Sequence, residues 1–207
     1  MCGIFASRDK MRFYELAAKN SYRGSHSHSI SYYDGNRIQV MTKGLGEMPE
    51  IDLEDGYYYI GHVQAPTTDV SDENIHPAFD KGDYLWHNGI ILNSQIKKWQ
   101  ESWKEKWTWD TYFMLWNMNS GPTEDILSET KGSFACVWYG KYQPSLTAFR
   151  NDNSPLFYTE EGDLSSTKTD NSLSLDSGVF YSLSKDKKWV KTEKVFKTKD
   201  EFYWSPK

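Results

Sequence analysis

Met1-Cys2-Gly3-Ile4-Phe5 opens the chain, and the reading of that stretch decides the rest. A small residue at position 2 permits removal of the initiator methionine, which leaves Cys2 with a free α-amino group. An unperturbed α-amine titrates at about 7.7–8.0, close to working pH. It can therefore take the thiol proton, directly or through a water, so that nucleophile and base lie in one residue. A Cys at position 2 is common by chance, and the reading depends on its context.

Outward from Cys2, the stretch Cys2 to Ser7 reads as a strand. Asp9 looks like a helix N-cap, with Phe13, Leu16 and Ala17 forming an apolar face up to Asn20. Ser31-Tyr32-Tyr33 and Arg37 to Met41 flank Asp34-Gly35, a hairpin signal. Tyr57 to Val63 and Tyr84 to Trp86 are further strands. A helix is expected over Ser94 to Trp107, where Trp99, Trp103 and Trp107 recur every four residues. Asp110 to Asn117 and Thr123 to Glu129 read as two more helices. Strands resume at Ser133 to Tyr139, Leu146 to Arg150 and Leu156 to Tyr158, followed by a polar remainder of short strands and turns. Strands, then helices, then strands fit layered α and β rather than a βαβ array.

The chain has 207 residues, and one domain over 1–207 is the expectation. Its 24 basic and 29 acidic residues leave a net charge of −5, which argues against a nucleic-acid binder with its basic face. No apolar run approaches the roughly 20 residues needed to cross a bilayer, and the first residues lack the layout of a secretory signal. A cytoplasmic protein with no membrane partner is expected. The aromatics, 14 Tyr, 10 Phe and 9 Trp, suit pleated sheets. Of the two cysteines, Cys136 lies in an apolar strand-like run and reads as a small buried hydrophobe.

Further motifs supply the context that Cys2 needs. They are Tyr22-Arg23-Gly24, Gly61-His62-Val63-Gln64-Ala65-Pro66-Thr67, Asn74-Ile75-His76-Pro77 and His87-Asn88-Gly89-Ile90-Ile91-Leu92-Asn93, then Asp110-Thr111, Lys131-Gly132-Ser133-Phe134-Ala135, and Arg150 through Pro155-Leu156-Phe157-Tyr158. Together with the opening residues, and in this order, they resemble the class II glutamine amidotransferases. The resemblance runs from residue 2 to about 158 and is faint beyond. It implies an α+β fold, a four-layer αββα N-terminal-nucleophile (Ntn) hydrolase sandwich with two antiparallel sheets.

The resemblance also implies roles. Cys2 attacks the glutamine side-chain amide, and the Asn88 amide with the Gly89 N–H holds the oxyanion. Asp110 receives the substrate α-ammonium. Gln64, Arg23, Thr67 and His87 fall in motifs assigned to glutamine binding, His87 with His62 and His76 as supporting residues. No cofactor or metal is implied. Two bland readings stand beside these: His87-Asn88-Gly89 as a strand end and turn, and Asp110 as an N-cap.

Gln64 is the main departure, since the family places Arg there to grip the α-carboxylate. Either glutamine binds weakly, or another cation such as Arg23 compensates, or the substrate lacks a free α-carboxylate. Ser25-His26-Ser27-His28 offers only two histidines to a metal and reads instead as a mobile loop over the glutamine pocket. The tryptophan stripe reads as a covered helix face. Family enzymes continue into a synthase domain, whereas this chain ends soon after the motifs. The expected partners are therefore L-glutamine and a separate ammonia-accepting synthase. The alternatives are an amidohydrolase of the same fold acting on a γ-glutamyl or other amide, and a non-catalytic partner-binding domain.

Overall fold

The computed structural model describes residues 2–65, 74–104 and 109–198. Strand β1 (Gly3–Ser7) leads into helix α1 (Lys10–Asn20). The Asp9 side chain caps that helix by accepting from the Arg12 N–H at 2.8 Å, a contact worth about 1 kcal/mol. Strands β2 (Ser27–Tyr33) and β3 (Ile38–Leu45) form the expected hairpin, and β4 (Tyr58–Gln64) follows. Next come β5 (Ala78–Asp80), β6 (Asp83–Ile91), α2 (Asn93–Trp103), α3 (Asp110–Met118) and α4 (Thr123–Glu129). The chain continues with β7 (Gly132–Gly140), β8 (Gln143–Arg150), β9 (Phe157–Tyr158), β10 (Leu164–Ser165), β11 (Leu173–Ser174), β12 (Val179–Leu183) and β13 (Trp189–Val195).

The strands make two antiparallel sheets, ordered β11-β9-β10-β1-β4-β2-β3 and β13-β12-β8-β7-β6-β5. Alternation along each strand sends one set of side chains to each face. Ile4, Ala6, Tyr58 and Ile60 of the first sheet meet Trp86, Ala135, Val137 and Ala148 of the second in a buried inter-sheet core. Phe5, Tyr59 and Val63 turn outward onto Phe13 and Leu16 of α1. Leu85, Phe134, Cys136 and Phe149 turn outward onto Phe113, Met114 and Leu127 of the helical region. Three apolar interfaces between four layers give the αββα order, each layer hiding the face that the previous one leaves bare.

Cys136 is fully buried, with its thiol 3.9 Å from the Met114 sulfur. Trp99 packs edge-on against Phe113 at 5.9 Å, so that part of the stripe is a covered face. Trp107 and the Trp103 side chain lie outside the described residues. The loop expected around His26 and His28 is corrected. His28 belongs to strand β2 and is buried, its ring nitrogen 3.1 Å from the Gly46 carbonyl. The hairpin signal at Asp34 extends pairing back to Ser27, opposite Leu45, so the ladder takes in Ser27 and His28, while Ser25 and His26 precede the strand.

Candidate active site

Cys2 stands at the head of β1. Gly3 pairs with Val63, and Gln64 with Ser27, so the next rung sets Cys2 beside Gln64 on the inter-sheet face. The thiol is buried and lies 3.8 Å from the Ala65 carbonyl. Burial pushes its pKa up to about 11. Asp110 adds to the rise, while the hydrogen bond at Ala65, the chain's α-ammonium and Arg23 oppose it. With Met1 attached, the Cys2 nitrogen is a peptide nitrogen and cannot act as a base. The thiol then stays protonated at neutral pH.

Arg23 is buried next to Cys2. Its guanidinium donates to the Ser166 carbonyl at 2.8 Å, the Thr167 hydroxyl at 3.0 Å and the Cys2 carbonyl at 3.4 Å. Gly24 follows because the chain passes so close to β4. A Cβ there would come within 2.2 Å of the Gln64 carbonyl carbon.

Asn88 and Gly89 lie inside β6, paired with Ala135 and Phe134. They are therefore not a strand end and turn. Gly89 has φ +153°, and a Cβ would sit 1.8 Å from the Ser133 carbonyl oxygen; this backbone path excludes any side chain. Asn88 is buried and donates to the Ser166 hydroxyl at 3.4 Å. That hydroxyl also accepts from the Ile4 N–H at 3.0 Å, and the Ser166 N–H donates to the Ile4 carbonyl at 2.8 Å. Ser166 thus joins β1, Arg23 and Asn88. The motif reading missed it, because a Ser in a Ser-Ser-Thr run has no pattern of its own.

Behind the rung of Gln64 runs a buried polar chain. The Gln64 amide meets the Ser27 hydroxyl at 3.0 Å and His76 Nδ1 at 3.4 Å. His76 Nε2 and His87 Nδ1 both lie 3.1 Å from Thr111 Oγ1, and His87 Nε2 is 3.3 Å from the Ser133 carbonyl. His62 stacks on His76 at 3.7 Å and reaches the His87 carbonyl at 3.2 Å. Burial, the largest cause, holds His62 down to about 3. It holds His76 well below its ordinary value, helped by His62, His87 and Lys43. His62 and His76 stay neutral near pH 7.

Asp110 is the first residue of α3 and not its cap, which is Trp109. Its carboxylate accepts from Thr111 N–H at 2.9 Å and Ile91 N–H at 3.1 Å, tying the helix to the end of β6. A carboxylate in the first helical turn is favoured by the helix dipole. The field of Asp110 reaches Cys2.

Cys2, Arg23, Gln64, His87, Asn88, Gly89 and Asp110 therefore converge on one end of the inter-sheet region. Thr67 lies outside the described residues. No group of three or more metal-ligating side chains is found among the described residues, and none of their helices is long and apolar enough to cross a membrane.

Neither a family model nor a curated protein matches the chain. Solved structures do. Glutamine phosphoribosylpyrophosphate amidotransferase from B. subtilis, complexed with ADP and GMP, superposes with a TM-score of 0.74 at 19% identity, over 94% of this chain and 50% of that one. A structure described as the allosteric regulatory enzyme of purine biosynthesis gives 0.72 at 18% identity, with the same coverage. The chain spans about half the length of the structures it matches. At this identity the likeness shows the fold alone, the αββα sandwich.

Proposed function

We propose that this chain hydrolyses the side-chain amide of glutamine through a γ-glutamyl thioester on Cys2. The observation that supports the reading best is the tie between β1, whose head carries Cys2, and Asn88 of the facing sheet, made through the Ser166 hydroxyl, which accepts from both the Ile4 N–H and the Asn88 amide. After removal of Met1, the α-amine takes the thiol proton and the thiolate attacks the amide carbon. The Asn88 side-chain N–H and the Gly89 backbone N–H receive the oxyanion, where one such donor is worth about 3 kcal/mol. Asp110 binds the α-ammonium as a charge-assisted contact. The C–N bond breaks to release ammonia, and water then cleaves the thioester to give the γ-carboxylate and restore the thiol. On this reading ammonia passes to an acceptor site on a separate synthase.

One observation favours a second reading, an amidohydrolase of the same fold acting on a larger glutamyl compound. The group beside Cys2 on its rung is the uncharged amide of Gln64. The common step is tested on protein shown by mass spectrometry to begin at Cys2, by following glutamate release from L-glutamine with Cys2→Ala as control. Release that persists in the control removes Cys2 from the reaction.

A further inference from the structure

The buried polar chain behind Gln64 has a direction. Ser133 offers a carbonyl, so His87 Nε2 must carry the hydrogen between them at 3.3 Å. The Thr111 hydroxyl has one proton and donates it to the Asp110 carboxylate at 3.5 Å, which leaves its oxygen to accept. Thr111 Oγ1 therefore accepts from His76 Nε2 at 3.1 Å, and because burial keeps His76 neutral, its Nδ1 is bare. The amide end of Gln64 that faces it at 3.4 Å must therefore donate. A side-chain amide reads equally well turned over, and its hydrogen-bond partners decide which end is nitrogen. Nitrogen at this end satisfies both neighbours, with one N–H to His76 and the other to the Ser27 hydroxyl, 3.0 Å away. Both of these contacts fall on one end of the amide, so the carbonyl end of Gln64 is turned away from Ser27 and His76 as an acceptor.

An acceptor there repels a carboxylate and receives an amide N–H. The surrounding charge acts in the same direction. Arg23 has each of its three guanidinium nitrogens engaged, by Cys2, Ser166 and Thr167. The sequence from Gly44 to Asp80, which carries Gln64, adds no Lys or Arg.

We infer that the natural substrate carries its glutamine with the α-carboxyl group in amide linkage and the α-amine free, which is the N-terminal glutamine of a peptide. The inference rests on the Cys2 hydrolysis proposed above and narrows its substrate. The reaction is side-chain deamidation: the γ C–N bond breaks, ammonia leaves, and water supplies the oxygen of a new N-terminal glutamate. Asp110 holds the α-ammonium while the Gln64 carbonyl accepts the N–H of the first peptide bond.

The test compares kcat/KM for conversion of Gln to Glu in L-glutamine, L-glutaminamide and L-glutaminyl-glycine, using protein that begins at Cys2 and reading each product by mass. The expected result is a preference of about tenfold or more for the two amide-ended substrates, and its reversal in Gln64→Arg. Equal or better turnover of L-glutamine by the unaltered protein overturns the inference and leaves the Cys2 mechanism standing. So does a Lys43→Met variant whose KM rises for L-glutamine alone, because this exposed cation, paired across from Ser29, would then be the carboxylate partner. Absence of any Cys2-dependent conversion with all three substrates removes the underlying mechanism as well, and the two failures are thereby told apart.

Discussion

The guanidinium of Arg23 holds the main-chain carbonyl of Cys2 at 3.4 Å, at the head of strand β1. The same group binds Ser166 and Thr167, so one buried cation joins three segments far apart in sequence. Arg23→Ala leaves the Ser166 and Cys2 carbonyls without it. Hydrogen bonds to a charged group contribute about 1.5–3 kcal/mol, and the expected loss is about 3 kcal/mol. Thermal unfolding should fall by about 6–12 °C for a chain of this size. Arg23→Lys should recover only part of that, since an ammonium cannot reproduce the planar fork; full recovery would mean that charge alone matters.

Asn88 and Ser166 separate chemistry from support. Asn88→Ala should lower kcat by about 10²–10³ with little change in KM, the effect of removing one oxyanion donor. Ser166→Ala keeps the Asn88 amide but removes the hydroxyl that orients it, and kcat should fall about tenfold. A Ser166→Ala enzyme that changes KM and leaves kcat intact would assign Ser166 to substrate binding instead.

Gly89→Ala tests the strand itself. The added methyl meets the Ser133 carbonyl at 1.8 Å on a backbone with φ +153°. Neighbouring main chain cannot yield cheaply within a paired ladder, so a loss of about 3 kcal/mol or more is expected. Denaturant unfolding measures it. A loss below about 1 kcal/mol would show that β6 and β7 separate there at little cost.

The buried histidines set a pH dependence. His62 is held down to about 3 and His76 well below its ordinary value in the folded chain, while both titrate at about 6.5 when unfolded. As pH falls below about 6.5 the unfolded chain gains protons that the folded chain refuses, so stability declines. It is fully present above that pH. Between about pH 6 and 4.5, His62→Gln should reduce the dependence of unfolding free energy on pH by about one proton relative to the unaltered protein. An unchanged slope would show that His62 is protonated in the fold.

Local chemistry made much of this architecture legible. Asp9 followed by Phe13 and Leu16 specified α1 through its cap and apolar face. Asp34-Gly35 marked the β2–β3 turn, and Thr123–Glu129 stood out as a short helix. At Asp110 the sequence permitted a cap or a ligand. A cap is satisfied within its own helix, whereas Asp110 also accepts from Ile91, 19 residues earlier.

By itself the sequence determined the candidate nucleophile at Cys2, the Asn88-Gly89 pair and the periodicities that assign helix or strand, because each is written in neighbouring residues. Only the tertiary structure decided that Ser166 meets Ile4, 162 residues away, that Arg23 is engaged by two main-chain carbonyls and the Thr167 hydroxyl, and that a neutral His76 aims the Gln64 amide. Those are register and hydrogen-bond-direction effects. They depend on which rungs of two separate sheets come to lie together, and on buried donors and acceptors having to match one another once water is gone.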